Sequence, residues 1–147
     1  MPDTSDSPLV RAGFTILGGA ISGLIGWFAA SRKRVRDAKD TFAVFMSQKL
    51  AQIPKRDLAD FYQRTKPSIR DEVARIRPFL SIRDKDTIDR LWREYDEIPA
   101  LELDRAHEGA MGEVMRALNK LAGSEFQSPD EIIRYYVDSF YKMSANA

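Results

Sequence analysis

Apolar residues are distributed along this chain in two ways. From Ala12 to Ala30 the sequence AGFTILGGAISGLIGWFAA runs nineteen residues without a charge, and its apolar side chains fall on every face of a helix. Beyond it, Val35, Ala38, Phe42, Phe45, Met46, Leu50 and Ile53 recur at three- and four-residue steps, which is a single apolar stripe. The first pattern predicts a membrane-spanning helix over residues 12–31. Nineteen residues of helix rise about 28 Å, close to the ~30 Å hydrocarbon core. Thr15 and Ser22 can return their hydroxyl hydrogen bonds to the preceding turn, and Trp27 suits the interfacial belt. The glycines lower the apolarity of the span.

The second pattern predicts that the helix continues as an amphipathic segment over residues 32–53. No proline or glycine lies between Trp27 and Ile53. Too few heptads are present for a sustained coiled coil, so the stripe is expected to dock onto the following domain. Pro54 ends this element. A short helix follows on Leu58, Phe61, Tyr62 and Thr65, and another begins near Pro67 with Ile69, Val73 and Ile76. Pro78 closes it. Asp84 or Asp86 is the expected start of a helix carrying Ile88, Leu91, Trp92 and Tyr95, which Ile98 and Pro99 break. Pro99–Glu108 reads as a connecting loop. Met111, Val114, Met115, Leu118 and Leu121 form the next helix, with Gly123 at its left-handed cap. Ser128-Pro129-Asp130-Glu131 reads as an N-cap, a first-turn proline and a capping-box acid. Ile132, Ile133, Tyr136, Val137 and Phe140 follow. Nothing alternates with period two, so no sheet is expected. The predicted fold is all-α: one transmembrane helix continuing into a small bundle of about five further helices over residues 54–147, with a short tail at residues 1–11.

Charge sets the orientation. Asp3 and Asp6 precede the span, whereas Arg32, Lys33, Arg34, Arg36 and Lys39 follow it. Basic residues stay cytoplasmic, so the tail is expected outside and the domain in the cytoplasm, at a cell inner membrane. A cleaved signal peptide needs the opposite charge order. An interfacial helix needs a polar face, which this segment lacks. A buried core helix would need cover on every side. The basic cluster also lies at headgroup level, where it can attract anionic lipid.

Small residues recur at four-residue spacing in the span. Gly18, Ser22, Gly26 and Ala30 make one row, and Gly19 and Gly23 a second. Such rows let helix backbones approach closely in lipid, so homo-oligomerisation is expected through them. Packing on another membrane protein is the alternative.

Several strings together carry a resemblance: the glycine-rich span and its basic stop, FYQRTKPSIRDEVARIRPFL (Phe61–Leu80), IDRLWREY (Ile88–Tyr95) and SPDEIIRYY. In these the chain resembles small, uncharacterised bacterial single-span membrane-anchored proteins. The resemblance implies a bacterial inner-membrane setting and brings no activity or functional residue with it.

Chemistry is sparse. There is no cysteine, which excludes disulfides and thiol catalysis. The single histidine, His107, has no second histidine with which to build a metal site. No phosphate loop or nucleophile elbow is present outside the span. No catalytic residue, metal or cofactor is expected. The acids Asp84, Asp86, Asp89, Glu94, Asp96 and Glu97 alternate with Arg83, Lys85, Arg90 and Arg93, as on a solvated helix face. The series Arg64, Lys66, Arg70, Arg75 and Arg77 is interrupted by Asp71 and Glu72, as on a neutralised surface. Net charge is only +1, so nucleic acid is not an expected partner, although the basic residues keep a lipid- or nucleic-acid-binding alternative open. Tyr135, Tyr136, Phe140 and Tyr141 span more than one helical stripe, which marks them as a candidate partner surface. The functional expectation is a non-enzymatic, self-associating membrane anchor that presents a helical interaction domain.

Overall fold

The computed structural model describes the backbone of residues 8–100, 103 and 111–145; the side chains of residues 8–18, 111–114 and 118 fall outside the description. Five helices of more than one turn are described: α1 (Pro8–Gln52), α2 (Leu58–Ile76), α3 (Ile82–Asp96), α4 (Met111–Ala122) and α5 (Pro129–Ala145). A 3₁₀ turn, Arg77–Phe79, joins α2 to α3. There is no strand among the described residues. The all-α expectation stands. The chain forms two compact units, Met1–Asp37 and Ala38–Ala147.

Among the described residues no helix is long and apolar enough to cross a membrane. Side chains are described only from Gly19, so that statement does not cover the first part of the nineteen-residue stretch. Of the expected tail, residues 1–7 lie outside the description and residues 8–11 are helical.

The second unit is built on one apolar core. Phe42 and Met46 enter it from α1, so the stripe beyond the basic cluster is a docking face. Leu58, Phe61, Tyr62, Ile69, Val73 and Ile76 enter from α2, and Ile88, Leu91 and Tyr95 from α3. Ile132, Ile133, Tyr136, Val137 and Phe140 enter from α5. Helix α3 packs on α5, α2 on both, and α4 on α5. Tyr95 sits at the centre, its ring 5.0 Å from Tyr62, 6.0 Å from Tyr136 and 5.9 Å from Phe140.

Three sequence expectations are corrected. Pro67 does not separate two helices but lies inside α2. The buried positions on either side of it form one unbroken stripe, and Pro67 itself is exposed, so docking overrides the lost backbone bond. Helix α3 begins at Ile82, before Asp84 and Asp86. Ser81 is its N-cap: the Ser81 Oγ accepts the Asp84 N–H at 3.2 Å and donates to the Asp84 carboxylate at 2.7 Å. Finally, the stretch read as a loop contains helical residues at Ala100 and Leu103, and Leu103 is fully buried.

The caps of α4 and α5 follow the sequence more closely. Gly123 has φ 65°, and the Ser124 N–H bonds the Asn119 carbonyl at 3.2 Å, the six-to-one closure of a left-handed helix end. Helix α5 starts at Pro129, and Glu131 reaches back as expected. Its carboxylate accepts the Gln127 N–H at 2.8 Å, one residue before the expected cap.

Candidate functional site

In the first unit the helix is apolar and uncovered. From Gly19 to Arg34 every residue is exposed. Ile21, Leu24, Ile25, Trp27 and Phe28 each keep more than half of their surface open. A helix that is apolar all round normally lies in a core or in lipid. Fully burying a side chain such as Leu, Ile or Phe yields roughly 1.5–3 kcal/mol, so this stretch forgoes stabilisation comparable to that of a whole small domain.

The small-residue rows lie within this stretch. Gly19, Gly23 and Gly26 have open space where a Cβ would stand, and Ser22 and Ala30 are exposed beside them. The side-chain position of Gly18 falls outside the description. Among the described residues nothing lies within 4 Å of the positions where Gly19, Gly23 and Gly26 would carry a Cβ.

The basic cluster follows immediately. Arg32, Lys33, Arg34 and Arg36 are exposed, and Lys39 is half-buried. One helical face carries Ile25, Phe28 and Ala29, then Arg32, Lys33 and Arg36, with Asp37 at its end; these residues line an open groove of about 720 Å³.

The cations from Arg64 to Arg77 in the domain are held differently. Arg64 pairs with Asp60 at 2.8 Å, Lys66 with Asp96 at 2.6 Å, and Arg70 with Asp71 at 3.6 Å. Arg75 pairs with Glu72 at 2.5 Å and Arg77 with Asp89 at 2.8 Å. The interleaved acids Asp71 and Glu72 neutralise Arg70 and Arg75 as expected, whereas Arg64, Lys66 and Arg77 use Asp60, Asp96 and Asp89, which lie outside the series. Arg90 also pairs with Glu94 at 3.1 Å, one turn on. Arg77 and Asp89 form a two-pronged link between the 3₁₀ turn and α3, which holds the Asp89 carboxyl below its ordinary range, chiefly through the hydrogen bonds from Arg77. Arg32, Lys33, Arg34 and Arg36 form no ion pair among the described residues.

The candidate partner surface on α5 is partly corrected. Tyr136 and Phe140 are fully buried and present no surface, because they lie on the stripe that faces Tyr95. Tyr135 and Tyr141 are half-buried. Tyr135 stacks against Phe126 at 5.3 Å between ring centres. With Leu50, Glu131, Arg134 and Asp138 these two rings line an open groove of about 470 Å³. The sequence reading missed Leu50 and Phe126 as members of this groove. Their only signal is apolarity at positions that the core does not fully absorb.

Burial dominates the buried phenols. It pushes the hydroxyls of Tyr62, Tyr95 and Tyr136 well above their ordinary pKa, with Asp96 adding to the effect at Tyr62 and Glu94 at Tyr136. Tyr62 donates to the Tyr95 carbonyl at 2.5 Å, and Tyr136 reaches Glu94 at 3.3 Å. The Tyr95 hydroxyl is buried and meets no well-formed hydrogen-bond partner among the described residues. The nearby Thr65 hydroxyl gives its hydrogen to the Phe61 carbonyl at 2.7 Å. None of the three lines either groove described above.

No group of three or more metal-ligating side chains occurs among the described residues. His107, with its neighbouring acids, lies outside them. Compared with known proteins, the chain matches no known family, no curated protein and no solved structure.

Proposed function

We propose that this protein is a non-enzymatic membrane anchor, inserted by a single helix over residues 12–31. It self-associates through that helix and presents the Ala38–Ala147 unit to the cytoplasm as a protein-binding module. The observation that carries the proposal is the uncharged helix from Gly19 to Ala30, exposed on all sides. Water is a poor solvent for it and lipid a good one. The four exposed cations that follow, Arg32, Lys33, Arg34 and Arg36, support an orientation with the domain inside, since translocating them is unfavourable. The open glycine positions support close packing of two such helices. On the domain, the groove between Leu50, Phe126 and Tyr135, rimmed by Glu131, Arg134 and Asp138, is the surface offered to a partner.

Alkaline extraction of membranes, combined with reporter fusions at both termini, tests the proposal. The expected result is a pelleted chain with its C-terminal reporter active only in the cytoplasm. Recovery of the full-length chain in a detergent-free high-speed supernatant would refute it. Self-association is tested separately by cross-linking a Gly23→Cys variant in membranes. The dimer band is expected to form, and to be lost when Gly19 is also changed to Ile.

A further inference from the structure

We infer that the groove formed by Ile25, Phe28, Ala29, Arg32, Lys33 and Arg36, with Asp37 at its end, is a binding site for an anionic phospholipid of the leaflet next to the domain. The inference rests on the membrane-anchor reading and goes beyond it, because a topology signal needs only positive charge, wherever on the helix it points.

The geometry is specific. The six residues fall on one face of α1, at spacings of three and four. The apolar three lie on the span side and the cationic three on the domain side. Their centres are separated by about six residues, or about 10 Å along the helix. That matches a diacyl lipid lying against the helix, one chain along Ile25, Phe28 and Ala29 and its phosphate among Arg32, Lys33 and Arg36. Arginine and lysine differ usefully here. The guanidinium groups can chelate phosphate oxygens in pairs, while Lys33 adds a point charge.

Charge state separates this face from the Arg64–Arg77 series of the domain. Arg64, Lys66, Arg70, Arg75 and Arg77 each have a carboxylate. Arg32, Lys33 and Arg36 form no ion pair among the described residues; Asp37, the one carboxylate lining the groove, lies at its domain end and leaves a net charge of +2 to meet an external anion. Arg34 is equally basic and exposed but lies on the opposite side of the helix and does not line the groove. It therefore serves as an internal control: same charge, same depth, wrong face.

The test uses the full chain reconstituted in phosphatidylcholine vesicles, with trace spin-labelled phosphatidylglycerol or spin-labelled phosphatidylcholine as the probe. Resistance to alkaline extraction from these vesicles first establishes insertion, so failure of the anchor reading is scored separately from failure of the lipid site. For inserted protein the expected result is preferential immobilisation of phosphatidylglycerol. Each of Arg32→Ala, Lys33→Ala and Arg36→Ala lowers the preference, by up to roughly fivefold at low salt. The triple variant abolishes it. Arg34→Ala leaves most of it, and so does an Ile25→Leu variant that preserves the apolar wall. The inference is overturned if inserted protein shows no preference, or if Arg34→Ala weakens it as much as Arg32→Ala and Arg36→Ala do. The second result would mean diffuse attraction to basic charge with no site on this face.

Discussion

Gly123 and Asp57 both hold a positive φ, at 65° and 56°, yet only one of them is a glycine. A Cβ at Gly123 would meet nothing, so any loss there comes from the backbone alone. Gly123→Ala is expected to destabilise the domain by about 1 kcal/mol. Asp57 precedes α2 and makes no side-chain cap bond, so it bears the left-handed conformation without compensation. Asp57→Gly is expected to act with the opposite sign, gaining about 0.5 kcal/mol. Thermal melts of the two variants check both signs, and a shift in the same direction would show that backbone conformation is not the cause. The tyrosines supply a second contrast. Tyr62→Phe removes the donor to the Tyr95 carbonyl and is expected to lose about 1–2 kcal/mol, whereas Tyr95→Phe removes a buried hydroxyl with no well-formed partner among the described residues and is expected to be neutral or stabilising. Because burial raises the pKa of Tyr62, Tyr95 and Tyr136 in the folded state, their contribution is complete below about pH 10 and is lost as pH rises beyond it. Phenolate absorbance from these three is expected to appear together with loss of the helical circular-dichroism signal. Ionisation well before unfolding would contradict their burial.

At the scale of elements, the caps and breaks divide into those that are local and those that are not. Gly123, Pro129 and Pro54 act through their own backbone chemistry, and each stands where its neighbours alone predict. Pro67 is different. Its missing N–H and its clash with the preceding turn argue for a boundary, but α2 runs through it because Leu58 to Ile76 present one face to the core. The hydroxyls of Thr65 and Ser68 bond carbonyls of the surrounding turns at 2.7 and 2.8 Å. Pro67→Ala should therefore stabilise α2, by about 1 kcal/mol or more, with no change in helix content. A lower denaturation midpoint would show that the proline is accommodated by something more than docking. The Ser81 cap is a local signal: Ser81-Ile-Arg-Asp84 is an N-cap followed three residues later by an acid. The link between Arg77 and Asp89 was not legible, because twelve residues separate them and only the 3₁₀ turn brings them together. Since the folded state lowers the Asp89 pKa, the stabilisation from this pair is present at neutral pH and lost as pH falls through the carboxylate range. The difference in melting temperature between the native chain and Asp89→Asn should shrink on acidification. It should also shrink in high salt, as the pair is partly exposed.

For the molecule as a whole, the division at Asp37 and Ala38 carries a direct expectation. A chain limited to residues 38–147 retains every core residue of the second unit and none of the exposed apolar helix. It should fold cooperatively without detergent, with the near-ultraviolet signal of its packed aromatics intact; a molten state would show that residues before Ala38 are needed for packing. The sequence by itself determined the all-helical class, the uncharged stretch followed by cations, the apolar stripes and the local caps. Each of these depends only on neighbours within a turn or two of helix, where spacing is set by the backbone repeat. The tertiary structure alone decided that Tyr136 and Phe140 are core while Tyr135 lines a groove with Leu50 and Phe126, that Lys66 and Arg77 meet Asp96 and Asp89 from distant parts of the chain, and that α2 survives its proline. Those outcomes depend on which faces meet. That choice is made by burial summed over residues far apart in the chain, and no local pattern contains it.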